Sequence, residues 1–344
     1  MRIAIIVGAG ASKEFGLPIG RELTGQIAKL ARIEQDRFGN VSSGDHDLIQ
    51  SLKNLAGNDD DFSLGDLIAA GHRIAKNMPL APSIDNFLDT HRDDANVVRF
   101  GKLVLAQAIQ QAERDSKLYV DWNRGNVGMN FDKVKDSWIA ALFRILVAQR
   151  TFEDFLTALG EITFISFNYD RCIHQYLFLA ARSYFNLNDE DAQRVLSTLN
   201  IIYPYGTVGR FVGKPFQTNF GRVLSGELAV EASEKIRTFT EGSEAGERDA
   251  IRAALQEAET VMFLGFGFLS LNMRLLFAEM TFPEKRILAT GCGLSETSRA
   301  EIFRELLRAS PGERERYEAA QGRIRVENST CADLFFEYER VLSG

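Results

Sequence analysis

Cysteine is scarce in this chain of 344 residues: Cys172, Cys292 and Cys331 stand far apart, and no Cys-x-x-Cys pair occurs. That spacing excludes a zinc ribbon and a disulfide framework, so no metal is expected. Cys172 and Cys292 read as inert packing residues. Basic charge is also short, with 40 Lys and Arg against 47 Asp and Glu and a net charge of -7. A surface that coats a nucleic-acid duplex needs clustered cations, so no clear nucleic-acid surface is expected, with a local basic groove left open. Long apolar runs are missing as well. Met1-Arg2-Ile3 leads directly into a strand, without the apolar stretch and small-residue cleavage site of a signal peptide. The expectation is a cytoplasmic chain with no membrane partner.

Short, β-branched apolar segments are what the chain does have. Residues 3–7 read as a strand buried on both faces, and Thr163–Phe167, Ile201–Tyr203, Val261–Leu264 and Arg286–Ala289 share that character. Gly322–Val326 alternates and suits an edge. Amphipathic helical patterns precede three of these segments, carried by Phe155 and Leu159, by Ile251 and Leu255, and by Ile302 and Leu306. Alternating buried strands and helices predict an α/β, Rossmann-like three-layer parallel sheet of about six strands. Residues 25–150 differ, with long helical patterns at Val97–Asp115 and Ser137–Arg150 and few strand signals. They read as a helical insertion subdomain, which leaves residues 1–24 and 151–344 for the sheet-forming domain. A second, weaker insertion runs from Arg210 to about Gly246 and ends in "TEGSEAGERD", read as a flexible loop.

Four segments could carry chemistry. In "IAIIVGAGASKEFGLPIG" a buried strand breaks into Gly8-Ala9-Gly10. The dinucleotide fingerprint wants a third glycine where Lys13 stands, and no Gly-Lys-Ser/Thr follows for a P-loop. What is left is a tight turn able to face a pyrophosphate, or to serve strand-to-helix packing alone. In "TFISFNYDRCIHQYL", Asn168-Tyr169-Asp170 follow a strand. That is where ligands sit in open α/β sheets, and also where turn and cap residues are common. "IIYPYGTVGRF" follows the third strand. "VMFLGFGFLSLNMRLL" ends a strand in Gly265-Phe266-Gly267, with Asn272 opening the next helix. Its glycines either admit a phosphate or ribose or relieve packing. Of the four histidines, His46 and His72 read as surface. His91 follows "SIDNFLDT" near a cleft, and His174 lies one helical turn beyond Asp170.

Gly-Ala-Gly-Ala-Ser, three residues, then Gly-Leu-Pro resembles the first signature of the sirtuin (Sir2) family, in particular the prokaryotic Sir2-like domains outside the deacetylase branch. The strand followed by Asn168-x-Asp170 resembles the second signature, and "GFGF…LN" resembles the later glycine-rich strand end. The resemblance implies NAD⁺ or ADP-ribose as ligand, lined by Gly8, Ala9, Gly10, Ala11 and Ser12, with Phe15 flanking the nicotinamide end. It places Asn168 near the nicotinamide ribose and Asp170 on the nicotinamide amide. Gly265, Phe266, Gly267 and Asn272 would approach phosphate or ribose. Thr290 and Gly291 would lie near the adenosine ribose and Cys331 near adenine. Where the family has His-Gly, this chain has Tyr205-Gly206. A phenol with an ordinary pKa of about 10 is a weak base at neutral pH, although it can donate a hydrogen bond.

The implied activity is cleavage of the nicotinamide–ribose bond of NAD⁺, with Asn168, Asp170 and Tyr205 as the catalytic set. Protein deacetylation is not expected, because the four-cysteine zinc module and the histidine base are both missing. ADP-ribosyl transfer is not separable from hydrolysis by sequence. Prokaryotic relatives of this kind often serve in anti-phage defence, which leaves room for a defence partner or a homo-oligomer. The alternative is a catalytically silent NAD⁺/ADP-ribose-binding module that regulates a partner.

Overall fold

The computed structural model describes residues 2–58, 61–124, 128–214, 217–238, 241, 245–277, 284–310 and 320–342. Six strands build the central sheet: β1 (Ile3–Val7), β2 (Ile162–Ser166), β3 (Asn200–Ile202), β4 (Thr260–Leu264), β5 (Arg286–Thr290) and β6 (Ile324–Glu327). Their spatial order is β3-β2-β1-β4-β5-β6 and every pair is parallel. This is the doubly wound Rossmann order, and it reverses direction between β1 and β4.

The alternation of side chains explains why β1 reads as an unbroken apolar run. Ala4 and Ile6 enter one hydrophobic cluster, while Ile3, Ile5 and Val7 enter the other on the opposite face. The first cluster packs the sheet against Ile27, Leu67 and Phe100 of residues 25–150. The second packs it against Trp138, Phe143 and Phe178. Residues between β1 and β2 therefore cover both faces. The expected alternating strand, β6, is an edge. β3 is the other edge and only partly buried, unlike the fully buried reading of its sequence, because it has a neighbour on one side alone.

The helix Ala95–Asp115 is buried round most of its circumference, polar residues included. Lys102 is paired with Glu241, Gln110 binds the carbonyl of Val208 and the amide of Leu224, and Glu113 binds Arg171. These polar side chains are covered in part by Val208, Leu224 and Glu241, from the region before the helix at Ala245. That region contains a short hairpin, Gly213–Lys214 with Gln217–Thr218, and the helix Glu227–Glu234. The expected loop over "TEGSEAGERD" is corrected in its second half, where the helix Ala245–Glu257 begins; residues 240 and 242–244 lie outside the described residues. No helix of the described residues is long and apolar enough to cross a membrane.

Candidate active site

Register brings the separated motifs to one edge of the sheet. Val7 pairs with Ser166 on one side and with Leu264 on the other. The three chains therefore leave the sheet side by side, and Gly8, Phe167 and Gly265 are the first residues beyond it. The β1–β4 gap between two of them is the switch point, where an open α/β sheet leaves a crevice.

On the β4 side, the loops meet by backbone contact. Gly8 N–H donates to the Leu264 carbonyl (2.9 Å) and Gly10 N–H to the Gly265 carbonyl (3.0 Å). A Cβ on Gly8 would lie 2.6 Å from Gly265 O, and one on Gly10 would lie 2.7 Å from Gly265 Cα. Gly265 has φ +55°, and its own Cβ would stand 2.1 Å from Ala11 N. These glycines are demanded by each other, whatever binds above them, and the two amides are not available to a pyrophosphate. Gly265→Ala is expected to lower the unfolding free energy by about 2 kcal/mol or more, combining left-handed strain with a backbone clash. Urea unfolding measures it, and a loss under about 0.5 kcal/mol would mean that the loops separate freely.

On the β2 side, a chain of buried polar groups runs across the loops. Asn168 Nδ2 donates to Gly8 O and to Ser12 Oγ, each at 3.0 Å. Ser12 Oγ donates to Asp170 Oδ2 at 2.7 Å, and Asp170 Oδ1 accepts from Cys172 N at 3.0 Å. Ser12, Asn168 and Asp170 are all buried. Burial pushes the Asp170 carboxyl above the usual carboxylate range, against the pull of the Ser12 and Cys172 hydrogen bonds. Both N–H groups of the Asn168 amide are spent, and its Oδ1 holds no hydrogen bond among the described residues. A fixed acceptor is the atom left for a ligand or water.

Tyr205 and Asn272 also come together, with the phenol donating to Asn272 Oδ1 at 2.7 Å. The Tyr205 ring stands edge-on to Phe167, which in turn meets Phe266. Burial raises the Tyr205 hydroxyl well above its usual range, and the carboxylates of Asp85 and Asp89 push it the same way. It is a neutral donor, not a base. His174 does not replace the base either: burial, then the nearby Arg171, lowers it to about 4, and its ring stacks between Tyr203 and Phe211. His91 stacks on Phe87 and bonds to its carbonyl.

Several expected contacts are corrected by burial. Phe15 is fully buried in the second cluster and offers no surface to a nicotinamide. Gly206 is buried, and its φ of +73° together with the Lys235 carbonyl, 1.8 Å from a would-be Cβ, accounts for the glycine. Ala11 is likewise internal, whereas Ala9 and Gly267 are exposed. Thr290 Oγ1 accepts from Gly265 N at 2.8 Å and donates to Phe263 O, so it braces the β4 loop. Cys331 lies buried beside Thr290 with its thiol pushed up by burial. Cys292 is exposed, not packed. A cleft of about 600 Å³ is lined by Trp122, Met129, Phe131 and Leu179, none of them a residue of this rim.

Sequence reasoning missed two groups here. Asp85 accepts a hydrogen bond from the Tyr169 phenol, and the buried Glu113 carboxylate takes Arg171 N, Arg171 Nε and Gly221 N, at 2.9, 3.0 and 3.0 Å. The only signal for Asp85 was its place in "SIDNFLDT", where a first-turn Asp reads as helix-end electrostatics. Comparison with protein-family models, curated proteins and solved structures finds no match to this chain.

Proposed function

We propose that this protein binds NAD⁺ at the carboxyl edge of the sheet and hydrolyses its nicotinamide–ribose bond, as a Sir2-like NAD⁺ hydrolase. The observation that carries the reading is the anchored Asn168 amide: its Nδ2 lies in one hydrogen-bonded chain with Ser12 and Asp170, and its Oδ1 has no hydrogen bond among the described residues. Breaking this bond builds positive charge on the ribose, as in glycoside hydrolysis. Water oxygen attacks C1′, and the C1′–N bond breaks. Its electron pair returns to the pyridinium ring, which leaves as neutral nicotinamide, and the water proton passes to solvent. Asn168 Oδ1 accepts from the attacking water and orients it. Asp170, desolvated and fixed by Ser12, holds the carboxamide of the leaving group. Gly267 and Ala9, both exposed, border the rest of the dinucleotide.

A second reading is favoured by Tyr205. With its proton committed to Asn272 and its acidity suppressed, it supplies no base, which suits a silent NAD⁺- or ADP-ribose-binding module that regulates a partner. Incubation with NAD⁺ separates the two. Release of nicotinamide and ADP-ribose supports the hydrolase; saturable binding without release supports the module; no binding of either ligand removes both. Asp170→Ala is expected to weaken NAD⁺ about tenfold more than ADP-ribose, the scale of one charge-assisted hydrogen bond. Isothermal titration reads the difference, and equal losses would remove Asp170 from the leaving-group role.

A further inference from the structure

Tyr169 lies between the two principal site residues, and its side chain leaves the loop in the opposite direction. Asn168 and Asp170 turn toward Gly8 and Ser12, whereas Phe167 and Tyr169 enter the cluster shared with residues 25–109. There the Tyr169 phenol donates to Asp85 Oδ1. Asp85 stands in the first turn of the helix Ile84–Thr90. The Tyr169 carbonyl is held as well, accepting from Thr207 Oγ1 at 2.7 Å and Val208 N at 3.1 Å. No lysine or arginine of the described residues is paired with Asp85, so the phenol is the polar side chain that satisfies this carboxylate. A hydrogen bond to a desolvated carboxylate is stronger than a neutral one, and leaving either group unpaired there is costly.

We infer that Asp85 and Tyr169 are positioning residues: through this one hydrogen bond the helical segment between β1 and β2 sets the orientation of the Asn168 amide. The inference rests on the hydrolase reading for its catalytic consequence. Its geometric content, that Asp85 holds the 168–170 loop, is open to separate measurement. The bond ties a segment that follows β1 to the loop that follows β2, and neighbouring side chains of that loop alternate between this anchor and the site. Loss of the anchor leaves the Tyr169 peptide held through its carbonyl alone, by Thr207 and Val208, and widens its range of orientation. Asn168 Oδ1 then leaves the direction set by Gly8 and Ser12.

The test uses Asp85→Ala, Asp85→Asn and Tyr169→Phe in the full chain, read by steady-state nicotinamide release, by urea unfolding and by hydrogen exchange of the amides of residues 168–172. Asp85→Ala and Tyr169→Phe are expected to lower kcat about tenfold or more, with KM for NAD⁺ changed less than about threefold, because misorientation acts on the reacting geometry. Exchange at residues 168–172 should rise about tenfold under conditions where both variants stay folded. Asp85→Asn keeps a carbonyl oxygen that accepts from the phenol, and should hold kcat and exchange within about threefold of the parent. A merely structural role would shift the unfolding midpoint while leaving kcat per folded molecule unchanged, and that result overturns the inference. An Asp85→Asn loss as large as that of Asp85→Ala overturns it too. If the parent releases no nicotinamide, the hydrolase reading falls and the exchange measurement decides alone: a rise upholds the anchor, unchanged protection removes it.

Discussion

Glu113→Ala is expected to lower the unfolding free energy by about 3–5 kcal/mol, the usual cost of removing one member of a buried ion pair. Glu113 and Arg171 are both inaccessible, with side-chain exposures of 0% and 3%. The carboxylate accepts from the Arg171 amide, from its guanidinium and from Gly221 N, and the guanidinium also donates to the Asn219 carbonyl. Alanine would leave an arginine that cannot shed its proton in an apolar setting. It would also strand the Arg171 and Gly221 amides. Against a total stability of about 5–15 kcal/mol for a typical domain, the loss is a large share of the whole. Glu113→Gln keeps an acceptor and should lose less. Urea midpoints with an unchanged m value provide the measurement, and a Glu113→Ala loss below about 1 kcal/mol would show that water reaches the pair.

Asn168→Ala is expected to reduce nicotinamide release about 100-fold or more, with stability lowered only by about 1–3 kcal/mol for two lost hydrogen bonds. The asymmetry is the point of the experiment. Gly8 O and Ser12 Oγ lose a donor, but Ser12 keeps its bond to Asp170, so the loops should hold. The orienting acceptor for water is gone. Single-turnover release together with an unfolding curve distinguishes the two losses. A variant that turns over at the parent rate would remove Asn168 from the chemistry.

The sheet was readable because its central strands are buried on both faces: apolar runs such as Ile3–Val7 and Val261–Leu264 fit the interior of a covered parallel sheet. Residues 166–170 were readable for a related reason, since a polar triplet directly after such a run must emerge at the carboxyl edge. The glycines were legible as tight places but not as to what crowds them. A neighbouring backbone and a ligand impose the same demand, and at Gly8 and Gly10 the neighbour is Gly265. Phe15 carried no mark of its burial, because an aromatic after a helical turn suits a core and a cleft equally. The Asp85–Tyr169 and Glu113–Arg171 contacts join residues 84 and 58 positions apart. Partners that distant leave no periodic trace; each charge alone looks like surface.

The mutual hydrogen bonding of the β1 and β4 loops has an evolutionary corollary. Since those two strand ends are locked edge to edge, the base of the crevice is a stiff shelf with little freedom to vary its recognition. Under the proposed nucleotide-binding role, variation in the ligand accepted would have to arise beside the shelf, at side chains such as Tyr205 and Asn272, while the shelf beneath stays glycine.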